Sequence, residues 1–105
     1  MSKKKVLVTG SSRGIGNSIL EFFLNDEFIP IGTATSSNGI EMIKKKFSDN
    51  NISGHALELD LNNTNSIENF FKNMKQEGLS PDILVNNAGI ARDNLMLRMS
   101  EQDLS

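Results

Sequence analysis

The feature that most constrains the fold is a glycine-rich turn between an apolar run and an amphipathic segment. The apolar run is Val6–Val8, glycines follow at positions 10, 14 and 16, and a helical apolar pattern begins at Ile15. A continuous apolar run is typical of a parallel strand that is buried on both faces. Glycines at such a turn allow backbone conformations and close approaches that a side chain would prevent. We therefore predict a strand, a phosphate-binding loop and the first turn of a helix.

Further apolar runs alternate with helical patterns along the rest of the chain. The predicted strands are Lys5–Thr9, Phe28–Thr33, Gly54–Asp60 and Asp82–Asn86, and the predicted helices are Ile15–Asn25, Gly39–Phe47 and Asn65–Glu77. This alternation indicates right-handed βαβ units and a parallel sheet. We predict an α/β fold in which helices flank that sheet.

Three local patterns add detail to this prediction. The residues expected on one buried face of the first helix are Ile15, Ile19, Phe22 and Phe23. Pro30 cannot donate to a strand ladder, so we expect it at the start of the second strand or at a bulge. Asn65 and Glu68 have the spacing of a capping box, which predicts the start of the third helix at Asn65.

Composition narrows the class of protein. The 105 residues, 37% of them hydrophobic, suit one domain or part of one with a modest core. The net charge of −2 gives no reason to expect nucleic acid or an anionic membrane as a partner. The absence of cysteine excludes disulfides and thiolate metal sites. No apolar run approaches the ~20 residues needed to cross a bilayer, so we expect a cytoplasmic protein. We also expect no metal.

The last residues indicate that the protein continues. Ser100 and Asp103 have capping-box spacing, so this segment is typical of a cap and a first helical turn. A single turn is not stable alone, because isolated helices below ~12–15 residues are marginal. We expect residues 1–105 to be the N-terminal, dinucleotide-binding portion of one larger domain.

Two motifs make the chain resemble the short-chain dehydrogenase/reductase family. Thr9–Gly16 reads TGSSRGIG and matches the family signature TGxxxGIG, and Asn86–Gly89 reads NNAG, the family signature after the fourth strand. Asp60 lies where the family commonly has an acidic residue after the third strand. The resemblance covers nearly the whole chain, and it implies a doubly wound, Rossmann-type sheet of strand order 3-2-1-4 that binds a nicotinamide dinucleotide.

Two shorter phrases are similar to one bacterial branch of that family. They are GTATS at 32–36 and GIARDNL at 89–95. The branch reduces 3-oxoacyl groups carried on acyl-carrier protein in fatty-acid synthesis, so the resemblance implies that substrate and a homotetramer. Three alternatives stay open: a short-chain reductase of acetoacetyl-CoA or a small ketone, a non-catalytic nucleotide-binding module, and an inactive fragment.

The resemblance also implies which residues contact the cofactor. They are Gly10, Ser11, Ser12, Arg13, Gly14, Ile15, Gly16, Thr35, Asp60, Leu61, Asn87, Ala88 and Gly89. In the family the glycine loop cradles the pyrophosphate and the adenosine ribose, and the side chains of residues 11–13 can all donate to phosphate. Asp60 and Leu61 resemble positions that meet the adenine, and residues 87–89 resemble contacts on the ribose side. Two structural alternatives remain: Asp60 as a turn residue, and Asn86 as a link between strands.

The residues themselves favour NADP(H) over NAD(H). An NAD site usually has a carboxylate at the end of the second strand, where it binds the ribose 2′-OH. No carboxylate occurs from Thr33 to Asn38. Arg13 supplies a permanent cation suited to a 2′-phosphate, and Thr35 can add a hydroxyl. The alternative for Arg13 is an exposed side chain without a ligand.

The catalytic groups of the family are missing from this sequence. Family members reduce the carbonyl with an Asn, Ser, Tyr and Lys set in which the Tyr donates the proton. The chain contains no Tyr, so the YxxxK motif cannot be present. We expect these 105 residues alone to be inactive, and to be marginally stable or to associate through the apolar fourth strand.

Overall fold

The computed structural model describes residues 3–88. Its elements in chain order are β1 (Lys4–Thr9), α1 (Gly14–Phe22), β2 (Phe28–Ala34), α2 (Ser37–Asp49), β3 (His55–Glu58), α3 (Thr64–Gln76) and β4 (Ile83–Asn86). The strands form one parallel sheet in the order β3-β2-β1-β4. The predicted α/β fold and its strand order are confirmed. Within residues 3–88, no helix has both the length and the apolar character that spanning a membrane requires.

Hydrophobic clusters lie on both faces of the sheet because β1 is buried on both sides. Leu7 points into a cluster with α3, whereas Val6 and Val8 point into a second cluster with α1 and α2. All three side chains are fully buried. Side chains alternate between the two faces of a strand, so a doubly covered strand needs apolar residues at every position.

Helix α1 presents a different face to the sheet from the predicted one. Its buried residues are Gly16 and Leu20, one turn apart, whereas Ile15 is 73% and Phe22 75% exposed. A side chain on Gly16 would collide with the Gly10 carbonyl, so α1 approaches the loop most closely at this glycine. The predicted burial of Ile15 and Phe22 is therefore wrong, and α1 also ends earlier than predicted, at Phe22.

Pro30 lies inside β2 and not at its start. It pairs with Val6, while the pairing of β2 with β3 begins only at Ile31. The Ala34 carbonyl accepts from Leu59 N on the β3 side, and the N–H and C=O groups of alternate residues along a strand face the same neighbour. The position of the missing Pro30 N–H therefore faces the β3 side before the ladder begins. The interior position is tolerated because no donor is needed there.

Helices α2 and α3 each begin at a polar capping residue. Ser36 Oγ accepts from Gly39 N at 3.1 Å, and Asn63 Oδ1 accepts from Ser66 N at 3.1 Å. Each cap satisfies an amide that has no partner within the helix. The prediction that Asn65 begins α3 is wrong, because the Asn63 cap starts the helix earlier.

Candidate functional site

The predicted site residues gather at one edge of the sheet, where the four parallel strands end. The glycine loop leaves β1, Thr35 follows β2, Asp60 follows β3 and Asn87 follows β4. The chain runs from β1 to β3 on one side of β1 and places β4 on the other. Ligands of open parallel sheets bind at the carboxyl edge where the strand order reverses. Here the strand order reverses between β1 and β4, beside the glycine loop.

The loop backbone depends on glycine at two positions. Gly10 and Gly14 have φ angles of 61° and 64°, in the left-handed region that other residues rarely adopt. A Cβ on Gly14 would meet no atom within 4 Å. Gly14 is therefore required by its conformation, and it leaves an open surface in front of the first turn of α1.

The N-terminus of α1 has no side-chain cap. Arg13 occupies the capping position with extended backbone, and no acidic residue lies in the first turn. The first helical bond runs from Asn17 N to Arg13 O, so the amides of Gly14, Ile15 and Gly16 precede the helical ladder. Such amides, at the positive end of the helix dipole, are suited to binding a phosphate.

Three hydrogen bonds join the loop to β2 through Gly10, Ser11 and Thr33. Ser11 N donates to Thr33 O at 2.9 Å. Thr33 N donates to Ser11 Oγ at 3.1 Å, and Gly10 N donates to Thr33 Oγ1 at 3.0 Å. Ser11 is fully buried and Thr33 is 1% exposed. The structure thus makes Ser11 a buried partner of β2, whereas the sequence predicts only a side chain able to donate to phosphate.

A second set of bonds joins the loop to the end of β4. Thr9 Oγ1 donates to Asn86 Oδ1 at 2.8 Å and accepts from Ala88 N at 3.1 Å. Asn87 Nδ2 donates to Gly10 O at 3.1 Å. The bond from Thr9 gives Asn86 the strand-linking position considered above. The side-chain nitrogen of Asn87 thus donates to the loop carbonyl, which leaves the side-chain oxygen for other contacts.

Gly16 and Ser12 bring the two neighbouring helices against the loop. A Cβ on Gly16 would lie 2.6 Å from Asn87 Nδ2, and a Cβ on Gly39 would lie 3.3 Å from Ser12 Cβ and Oγ. Asn17 Nδ2 also donates to Ser12 O at 3.2 Å. The start of α2 is thereby placed next to the loop, at the end of β2.

Arg13 and Thr35, the two residues predicted to favour NADP(H), are both exposed at this edge. Arg13 immediately precedes α1, and Thr35 immediately follows β2. No carboxylate lies between β2 and α2, where the chain reads Thr-Ser. The carboxyl edge of β2 is therefore without the acidic group that would repel a 2′-phosphate.

Asp60 forms a turn between β3 and α3. Its Oδ1 accepts from Asn62 N at 3.0 Å and its N donates to Ser66 Oγ at 2.9 Å. This geometry matches the turn alternative, although the residue still lies at the carboxyl edge. Leu61 is partly buried and packs against the cluster on the α3 side of the sheet.

Some predicted features lie outside the described residues 3–88. They are Gly89, the remainder of the phrase at 89–95, and the helical turn predicted at Ser100–Asp103.

Sequence reasoning missed Thr9 and Thr33, the two hydroxyl residues that fix the loop. Both are fully or almost fully buried. The available signal is a polar residue at the end of an otherwise apolar strand, since a buried hydroxyl needs a partner. That signal does not identify the partner, which for Thr33 lies 22 positions away at Ser11.

Comparison with known proteins identifies the family. The family model described as short chain dehydrogenase matches residues 4–105. The chain belongs to the short-chain dehydrogenase family. Both sequence motifs, in the loop and after β4, therefore lie within the matched region, and the resemblance stated from them is confirmed.

Several bacterial relatives are similar to this short-chain dehydrogenase over almost its full length. The 3-oxoacyl-[acyl-carrier-protein] reductase of Vibrio cholerae is 46% identical over 102 residues, covering 97% of this chain and 41% of the relative. That of Haemophilus influenzae is 44% identical over 103 residues, covering 98% and 41%. That of Escherichia coli K12 is 44% identical over 100 residues, covering 95% and 40%. The chain thus spans about two fifths of the length of these relatives.

Proposed function

We propose that this chain is the NADPH-binding part of a reductase that converts 3-oxoacyl-[acyl-carrier-protein] to the 3-hydroxyacyl form in fatty-acid synthesis. The observation that supports this most directly is the N-terminus of α1, which has no side-chain cap and is preceded by Arg13. It lies beside the carboxyl end of β2, where no carboxylate follows the strand. Similarity to the bacterial reductases supports the substrate. The proposal also includes a cytoplasmic location and a homotetramer.

The exposed backbone of the loop fits a dinucleotide pyrophosphate. The amides of residues 14–16 would bind its oxygens, because they lie at the positive helix end and open space lies before Gly14. Arg13 and Thr35 would bind the 2′-phosphate through charge and a hydroxyl. The Asn87 oxygen and Ala88 would face the ribose, with Asp60 and Leu61 towards the adenine. Ser11 would contribute indirectly, as a buried support of the loop.

The reaction needs a hydride and a proton delivered to the two ends of a carbonyl group. The bound NADPH supplies the hydride. The proton must come from an acid near the carbonyl oxygen, and a chain without Tyr cannot provide the family's donor. The role of these residues is therefore to bind and orient the cofactor, and we expect the 105 residues alone to have no reductase activity.

Arg13→Ala tests the cofactor assignment in the full gene product. A charge-assisted bond to the 2′-phosphate is worth ~1.5–3 kcal/mol, so we expect the Kd for NADPH to rise about tenfold or more. NADH lacks that phosphate, so its Kd should change less than about twofold. Titration of each nucleotide by fluorescence measures both constants.

Lys44→Ala is the matched control, because it removes an exposed cation of α2 whose ion-pair partner is Glu41 on the same helix. We expect it to change neither Kd. Equal weakening of NADPH and NADH binding by Arg13→Ala would contradict the NADP(H) assignment.

The substrate is tested separately: turnover of acetoacetyl-CoA or a small ketone in preference to the carrier-linked 3-oxoacyl group would favour the other short-chain reductases.

A further inference from the structure

We infer that Thr33, in β2, is a positioning residue for nucleotide binding. Its hydroxyl fixes Gly10 and, through Gly10, the first turn of α1. The inference rests on the proposed function, since it concerns how the same loop holds a dinucleotide. It assigns a role to a residue that lies outside both signature motifs.

The contacts of Thr33 all point to the loop. The side chain is 1% exposed, and its Oγ1 accepts from Gly10 N at 3.0 Å. Its backbone N–H and C=O both bond to Ser11. A buried donor that loses its acceptor costs more than the bond itself contributes, because water cannot replace the partner. Removal of this hydroxyl therefore destabilises the observed conformation of Gly10.

Gly10 cannot move alone. Its carbonyl accepts from Asn87 Nδ2 at 3.1 Å, and the same carbonyl packs against Gly16 so closely that a Cβ there would collide with it. Gly16 belongs to the first turn of α1, which carries the amides suited to phosphate. A shift of Gly10 is consequently passed to that turn, although Thr33 itself lies beneath the loop and does not face the ligand.

This position predicts an effect that differs from that of Arg13. The amides at the start of α1 would bind the pyrophosphate, which NADPH and NADH share. Arg13 would bind the 2′-phosphate, which only NADPH carries. Loss of the Thr33 hydroxyl should therefore weaken the binding of both nucleotides equally.

Thr33→Val tests the inference in the full gene product, because Val keeps the shape and removes the hydroxyl. We expect the Kd values for NADPH and NADH to rise together, each about tenfold. Thr33→Ser keeps the hydroxyl and should leave both within about twofold of the original. Amide hydrogen exchange at Gly10 should be faster in Thr33→Val and unchanged in Thr33→Ser. A structural role without a hydrogen bond would not produce this rescue.

Ile31→Val is the stability control. Ile31 is fully buried in the same strand, and removing one of its methylene groups lowers stability without removing the Thr33 hydroxyl. It should leave both Kd values unchanged. If Ile31→Val weakens binding as much as Thr33→Val, or Thr33→Ser fails to restore binding, the effect is one of general stability and the inference is wrong.

The remaining outcomes separate this inference from the proposed function. Unchanged binding in Thr33→Val, with selective loss of NADPH in Arg13→Ala, would overturn the inference and leave the function standing. If Thr33→Val and Arg13→Ala each weaken NADPH and NADH binding to the same extent, the inference is retained and the choice of NADP(H) is overturned. A full gene product that binds neither nucleotide would overturn both.

Discussion

Gly10 is held at its N–H by the side chain of Thr33, in β2, and at its carbonyl by the side chain of Asn87, which directly follows β4. Thr9 adds a further link to the segment after β4. A loop that must present amides to a ligand gains from being fixed before the ligand arrives, since ordering it during binding would cost affinity. Hydrogen bonds from the buried Thr9 and Thr33 and from the half-buried Asn87 provide that order here.

Gly16→Ala should be among the most damaging small substitutions in the loop. The added methyl group would collide with the Gly10 carbonyl and lie 2.6 Å from Asn87 Nδ2. Backbone atoms cannot rotate aside, so we expect a loss of about 3 kcal/mol in the free energy of unfolding. Urea denaturation of the nucleotide-free protein measures it.

Gly14→Ala is the comparison for this prediction. Its added methyl would meet nothing within 4 Å, and only the positive φ of 64° opposes it. We expect a smaller loss, of about 1 kcal/mol. Equal stability of Gly16→Ala and the original protein would show that α1 does not approach the loop as closely as described.

At this scale the sequence predicts positions better than partners. The glycines at 10, 14 and 16 are readable because a strand, a turn and a helix follow one another within a few residues. The bond from Thr33 to Ser11 joins residues 22 positions apart, and no local pattern announces it. The sequence alone therefore predicts Ser11 only as a donor to phosphate, because its bonds to β2 depend on the sheet.

Among the elements, the three helices of residues 3–88 differ at their N-termini. The side chains of Ser36 and Asn63 cap α2 and α3, whereas Arg13, at the capping position of α1, makes no such bond. Caps satisfy helix amides within the protein. The helix that follows the glycine loop is thus the one that retains amides for an external anion, which agrees with the proposed phosphate site.

Ser36→Ala should destabilise α2 in the absence of nucleotide. It removes the acceptor that bonds to Gly39 N at 3.1 Å, and loss of such a cap costs ~1 kcal/mol. Thermal or urea unfolding measures this change. Ser37→Ala, one position later and exposed at the first helical residue, should alter stability by less than about 0.5 kcal/mol. The reverse order of effects would move the cap to Ser37.

The elements themselves were predictable, but the orientation of α1 was not. Apolar runs and helical spacing give every strand and helix because each pattern is local. The rule that the bulkiest apolar residues face the core fails at Ile15 and Phe22, since the close approach at Gly16 sets how α1 lies on the sheet. The position of Pro30 inside β2 was likewise not predictable, because it depends on where the pairing with β3 begins.

In the whole molecule, a covered sheet supports a polar carboxyl edge. Two hydrophobic clusters fix the four strands from opposite faces, and the loops at one edge hold the candidate site. Ile15 and Phe22 leave an exposed apolar surface on α1, and Ile83 of β4 is 36% exposed. The fold therefore explains how the loop is positioned.

The most direct test of the account is a map of where NADPH binds. In the isotope-labelled full gene product, NADPH titration should shift the amide NMR signals of residues 12–16 and of Thr35 most strongly. Residues at the opposite edge of the sheet, such as Lys4 and Phe28, should change little. The absence of saturable shifts in the loop, or a largest response at the opposite edge, would contradict the claim that this loop binds the dinucleotide.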